Sequence, residues 1–383
     1  MIVETIQYKK GMGWSMPTLP DLDSENTLVL VFSSPELFAD DAPIQTLLAQ
    51  YSKSKIMGCS TAGEIFGATV YDDTLSVAVI QFKQTRLKLA SVTIHNSHTP
   101  FDAGKSLVSA LDAEDLAGIF VLSDGLINGS ELTKGLNSLQ KRDLVITGGL
   151  AGDGARFEKT WVIENGVVQK DRVIAVGFYG KHIRIGHGSK GGWDIFGVER
   201  RITRSKNNIL YELDGKSALS LYKTYLGDKA AGLPATGLLF PLSIRKNMDD
   251  PTQLVRTILA VDEKEGSLTF AGDVPMGYLA QLMRANFDRL ITGATQAGEL
   301  VLNNYPEINA VSSDILLIAV SCVGRRLLLG ERINEETESV LNLFPKKTKM
   351  IGFYSYGELS PYAKGSCDLH NQTMTLTSLY EVN

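Results

Sequence analysis

Cysteine is scarce in this sequence: Cys59, Cys322 and Cys367 are the only three. So small and odd a set argues against a disulfide framework and for a reducing compartment, so a cytoplasmic protein is expected. Long apolar runs are missing as well. No window approaches the ~18 apolar residues that span a bilayer. Met1 to Trp14 lacks the uninterrupted apolar stretch of a secretory leader. Neither a membrane nor an export route is therefore expected. Lys and Arg form no stripe, and the net charge is -5, so nucleic acid is disfavoured as a partner.

Several chemical signatures are missing too. No Lys follows the second glycine of a G-x-x-x-x-G stretch, so there is no nucleotide P-loop. Gly58-Cys59-Ser60-Thr61-Ala62 ends in Ala62 where a G-x-S-x-G nucleophile elbow needs glycine. No C-x-x-C-H occurs, which rules out covalent c-type haem attachment.

What is present is a recurring pattern. Gly58-Cys59-Ser60-Thr61-Ala62-Gly63-Glu64 follows the apolar Lys55-Ile56-Met57. Gly352-Phe353-Tyr354-Ser355-Tyr356-Gly357-Glu358 follows Lys349-Met350-Ile351, and a shorter copy, Gly148 to Asp153, follows Leu144 to Thr147. Each is expected to be a strand end that turns on glycines towards a carboxylate. Upstream of each lies an apolar strand ending in serine: Leu28–Phe32 before Ser33, Gly118–Leu122 before Ser123, Ile315–Val320 before Ser321. Ser33 precedes Gly58 by 25 residues and Ser123 precedes Gly148 by 25, whereas Ser321 precedes Gly352 by 31. A helical pattern falls inside each interval, such as Ile44, Leu47, Leu48 and Tyr51 at i, i+3, i+4 and i+7. Strand–helix–strand passes of this length make right-handed parallel units. Further strands at Leu75–Phe82, Leu87–Ile94, Arg172–Phe178 and Met374–Leu379 add antiparallel partners. The expected fold class is mixed α/β, with two domains built on mixed sheets and repeated strand–helix–strand–glycine-turn units. The best boundary is the turn-rich stretch near 190–215.

The residues also resemble a known family. Ile56 to Ile65, Gly149 to Gly154 and Gly192-Trp193 are similar to motifs of the FIST N-terminal domain. Phe270 to Gly277, Cys322 to Arg326, Gly352 to Glu358 and His370 to Thr373 are similar to the FIST C-terminal domain. The resemblance implies a lead-in at 1–25, the first domain at 26–200 and the second at 201–383. It implies an intracellular sensory module that binds a small ligand such as an amino acid. It also implies action in signal transduction through a separate partner. Some bacterial members are haem proteins that sense nitric oxide and act on histidine kinases. On that alternative, haem b is the cofactor and a histidine kinase the partner.

Candidate site residues follow from both readings. Glycine turns at strand ends let a backbone approach a ligand, and successive amides can hold an anion. The expected ligand set is Gly58, Cys59, Ser60, Thr61, Gly63, Glu64, Arg325, Tyr354, Ser355, Gly357 and Glu358. Turns from opposite ends of the chain would face one cleft. Glu64 and Glu358 equally suit capping of their own turn amides. Arg325 suits a carboxylate clamp or an internal ion pair. His370, His187 and His182 are the candidate haem ligands; His95 and His98 read as loop residues. Cys59 has no histidine near it in sequence, so a hydrolase or transferase built on its thiol is the rival class, and no enzyme is expected.

Overall fold

The computed structural model describes residues 1–39, 42–94, 99–139, 144–250, 254–361 and 365–382. The fold is mixed α/β with two domains, a large core and a smaller inserted sheet with its own apolar centre. His95 and His98 lie outside the described residues.

Three passes of the chain build the core. Each contributes two parallel strands joined by a helical connection. These are Thr27–Ser33 with Lys55–Ser60, Leu116–Ser123 with Val145–Leu150, and Ile315–Cys322 with Thr348–Ser355. Thr27–Ser33 and Ile315–Cys322 are buried along their whole length, as expected of strands covered on both faces. An antiparallel strand from the same pass flanks each pair: Thr74–Gln81, Arg172–Tyr179 and Met374–Glu381. A second flanking strand lies beyond it: Ile2–Lys9, Arg86–Thr93 and Ile183–Lys190.

After each parallel pair the chain leaves its own sheet. The hairpin Glu64–Phe66/Thr69–Tyr71 joins the third unit at Thr348–Ser355. The hairpin Val162–Glu164/Val167–Gln169 joins the first unit at Lys55–Ser60. The hairpin Gly357–Pro361/Cys367–His370 joins the second unit at Val145–Leu150. Each unit donates one hairpin and receives another, in a closed cycle. Strands from either side of residue 200 share the second and third sheets, and the strand Asp194–Lys206 of the fourth crosses it.

The ladder registers show how closely the units correspond. Ser33 pairs with Ser60, Ser123 with Leu150 and Ser321 with Tyr354, each two residues beyond the repeated glycine. The spacing in the sequence thus marks true equivalence. The longer third interval holds an additional helix: Val323–Leu329 precedes Ile333–Leu341.

Gly58, Gly148 and Gly352 sit inside strands, not in the turns expected for them. They face Val31, Val121 and Ala319 across the parallel ladders, and a Cβ on any of them would overlap that residue's carbonyl oxygen. Glycine is required here for close backbone approach. The turn itself is Thr61-Ala62-Gly63, where Gly63 has φ +132°.

The stretch read as a lead-in, 1–25, carries regular structure. Ile2–Lys9 is a full strand of the first sheet, with Val3 and Ile6 buried. A helix at Pro100–Leu111, not foreseen, has a clear sequence signature: Thr99 and Asp102 cap each other and Pro100 opens the first turn. The inserted sheet occupies the third unit between the Ile183–Lys190 strand and the Phe287–Asn304 helix. Its core includes Ile202, Leu210, Tyr222, Leu242, Phe270 and Leu282.

Gly58→Ala and Gly352→Ala are each expected to cost about 3 kcal/mol or more, since backbone must shift to admit the methyl group. Gly67→Asn, at a left-handed turn with open space around it, should stay within about 1 kcal/mol of the parent. Urea midpoints of the three variants check this; equal midpoints would show that the glycines are not required.

Candidate functional site

Glu64 and Glu358 occupy matching places. Glu64 is fully buried and accepts from the Thr74 amide at 3.1 Å, the Thr74 hydroxyl at 2.8 Å and the Thr61 hydroxyl. Glu358 accepts from the Thr373 amide at 3.2 Å, its hydroxyl at 2.9 Å and Ser355 Oγ at 2.7 Å. Thr74 and Thr373 are themselves equivalent: their carbonyls accept from Ser34 N and Cys322 N, just past the repeated serines. Each carboxyl therefore ties a turn to the strand that follows its hairpin. Burial pushes both carboxyls up to about 8, against the hydroxyl and amide bonds that pull them down. The two do not face one cleft. Glu64 borders a recess of about 240 Å³ with Thr61, Gly63, Asp72, Arg156 and Arg326, which Glu358 does not reach.

The second unit solves the same problem with a different residue. Val162 occupies the ladder position that Glu64 and Glu358 hold in theirs. Asp124 takes over: it accepts from Asp171 N at 3.0 Å and from Thr160 Oγ1 at 2.6 Å.

The other expected ligand residues are mostly structural. Cys59 is buried in the apolar core, and burial pushes its thiol well up, away from the reactive thiolate. Ser60 Oγ accepts from Trp161 N at 3.1 Å. Gly357 pairs with Leu150 in the second sheet. Tyr354 is buried and donates to Glu336 Oε1 at 2.9 Å. Arg325 is fully buried and held by Glu336, with Nη2 also donating to Leu290 O at 2.8 Å. It is a strut inside the protein and offers no clamp to a ligand. Its neighbour Arg326 reaches the recess instead, bonded to Ala62 O and Asp72.

The histidines divide. His182 Nδ1 lies 3.1 Å from Val382 O at one end of its strand. His187 and His370 meet in the wall of a cleft of about 720 Å³. Between the Ile183–Lys190 strand, the end of the Phe287–Asn304 helix and the His370–Thr373 turn, this cleft takes in Lys190, Asn303, Asn304 and Asn371. His370 is buried, its Nε2 is 3.0 Å from Ser360 O, and burial pushes it down to about 4. Burial also pushes His187 down. Both imidazoles are therefore neutral near pH 7. Asn371 is 1% exposed, yet neither atom of its amide has a hydrogen-bond partner. Leaving such a group unpaired costs about 1–3 kcal/mol. Asn371 was visible beforehand only as part of the His370-Asn371-Gln372-Thr373 motif; Lys190, Asn303 and Asn304 carried no signal.

No group of three or more His, Cys, Asp or Glu among the described residues is placed to hold a metal ion. No helix among them is long and apolar enough to cross a membrane. Concave clefts between the elements of an α/β scaffold are where small ligands commonly bind. Family models match the FIST N domain over residues 27–216 and the FIST C domain over 218–361. The chain belongs to the FIST family, whose domains are associated with small-ligand sensing in signal transduction. An uncharacterized protein of Methanocaldococcus jannaschii is 23% identical over 371 residues, spanning 86% of this chain and 68% of that protein.

The two buried glutamates set a pH dependence. Between the ordinary 4.5 and about 8, folded protein holds protons that the unfolded chain has lost. Stability is full below that window and falls as pH rises through it, by on the order of 4 kcal/mol for each group. Glu64→Gln and Glu358→Gln should each flatten the fall. Urea titrations from pH 5 to pH 9 test this; parallel curves for parent and variants would refute it.

Proposed function

We propose that this is a sensory protein that takes a small polar ligand in the His187–His370–Asn371 cleft and signals through a separate protein. The carrying observation is Asn371, a buried amide in the cleft wall with both atoms unpaired. Folding pays for such a group only if something else benefits. The neighbouring backbone supports a relay. Gln372 has φ 64°, unusual for a residue of its type. Its carbonyl accepts from Trp193 Nε1 at 2.9 Å, and its Nε2 donates to Leu238 O at 3.0 Å. Contact at Asn371 therefore bears directly on the inserted domain. A cytoplasmic histidine kinase is the class of receiver that the family resemblance implies. The recess at Glu64 is the weaker ligand site, because its guanidinium groups already hold Asp72 and Glu36.

A second reading has one observation in its favour: two of the three candidate haem ligands share a cleft. His187 or His370 would hold haem b, whose iron would bind nitric oxide. The wall is rich in amides and hydroxyls, with Leu254, Val255, Leu300 and Leu369 as its larger apolar side chains. Absorbance of protein produced with a haem supply separates the readings. A Soret band that His187→Ala or His370→Ala abolishes would install the haem reading.

Asn371→Leu replaces both unpaired atoms with methyl groups on the same branched skeleton, in a wall that borders open space. It should stabilise the ligand-free protein by about 1–3 kcal/mol and abolish retention of a small-molecule adduct in native mass spectrometry. Loss of stability with the adduct retained would show Asn371 to be structural.

A further inference from the structure

The charge of the cleft wall restricts what it accepts. Lys190 is the one formal charge there at neutral pH among the described residues, since both imidazoles are neutral and no Asp or Glu lines the cleft. Of the acidic groups behind the wall, Glu358 is already engaged. It lies behind Thr373 and is bonded to it through the amide and the hydroxyl. Asp368, on the same strand as His370, does not line the cleft, and burial pushes its carboxyl up against the pull of the buried Arg256 guanidinium. A free amino acid would bring an ammonium group into a wall with no carboxylate to meet it. A buried charge without a partner is costly.

Asn371 adds a second restriction. Its unpaired atoms are one donor, Nδ2, and one acceptor, Oδ1. A ligand amide presents the complementary pair, whereas a lone carbonyl satisfies only the donor. Lys190, at the exposed rim, can meet a carboxylate.

We propose that the cleft selects an amide-bearing organic carboxylate with no free ammonium group, of the chemical class of an N-acylated amino acid. This rests on the cleft being the sensory site. It replaces the free amino acid that the family resemblance implied with its acylated counterpart.

Calorimetry on the full chain with matched probes tests it: leucine, glutamate and phenylalanine, each free, as the N-acetyl derivative and as the corresponding 2-oxo acid. At least one N-acetyl form should bind at least ~10-fold more tightly than its free and 2-oxo counterparts. Lys190→Gln should weaken that binding about tenfold, and Asn371→Leu should abolish it. Free amino acids binding as tightly as their N-acetyl forms, or no N-acetyl form binding, overturns the proposed ligand class. If free amino acids win and Asn371→Leu abolishes their binding, the class is wrong and the cleft stands. If an N-acetyl form binds the Asn371→Leu protein as tightly as the parent, the cleft itself is wrong and the proposal falls with it.

Discussion

Three backbone hydrogen bonds hold the centre of this protein together. Ala62 N donates to Tyr354 O at 2.8 Å, Tyr356 N to Leu150 O at 3.3 Å, and Gly152 N to Ser60 O at 3.0 Å. Each donor lies two residues after its own unit's acceptor, so the bonds close a ring that visits the three units in turn. The ring forms where each chain leaves its parallel pair to enter the neighbouring sheet. Much else follows from that junction. Strands must approach closely just before it, hence the glycines. The backbone must turn sharply just after the donated hairpin, where Asp73, Asp171 and Gln372 all have positive φ. Asp tolerates that conformation well; Gln does not share the advantage. The third unit therefore keeps its turn with a less suitable residue, beside the cleft.

The carboxyls show the same geometry answered by different chemistry. Glu64 and Glu358 reach across their turns from the donated strand, while Asp124 reaches from the end of the unit's own strand. Position in sequence differs, yet in all three units a carboxyl accepts from a backbone amide at the same junction. Backbone amides buried at such a turn need an acceptor, and either side chain can supply one. Inside the third unit, Glu336 gathers Ser321, Tyr354 and Arg325 around a buried ion pair. Removing one member would leave a buried charge unmatched.

Much of this architecture was legible in the sequence. Equal intervals between serine and glycine reported equivalent ladder positions, because parallel register fixes both ends of a strand–helix–strand pass. The destination of the hairpins was not legible. Glu64–Phe66 looks like any short strand, and nothing local says that its partner is Phe353 rather than a neighbour in its own pass. Arg325 and Arg326 illustrate the same limit at the site. Adjacent and chemically identical, they part in the fold: one is fully buried and the other faces a recess. Periodicity separates faces within an element and says nothing about which face meets solvent at a helix start. The cleft escaped for a similar reason, since Lys190, Asn303 and Asn371 come from three distant parts of the chain.

The exchange of hairpins has a consequence for how the chain is made. During synthesis the first unit emerges early, but its sheet waits for residues 162–169 before its edge is covered. The hairpin at 64–71 waits far longer, until Thr348–Ser355 has been made. For most of translation it is an unpaired edge beside a nearly finished sheet, the kind of exposed strand that seeks other partners. A second copy's Thr348–Ser355 strand, before its own hairpin has docked, offers the same edge. A chain whose order depends on each part lending a strand to the next is also one that can lend it to a stranger.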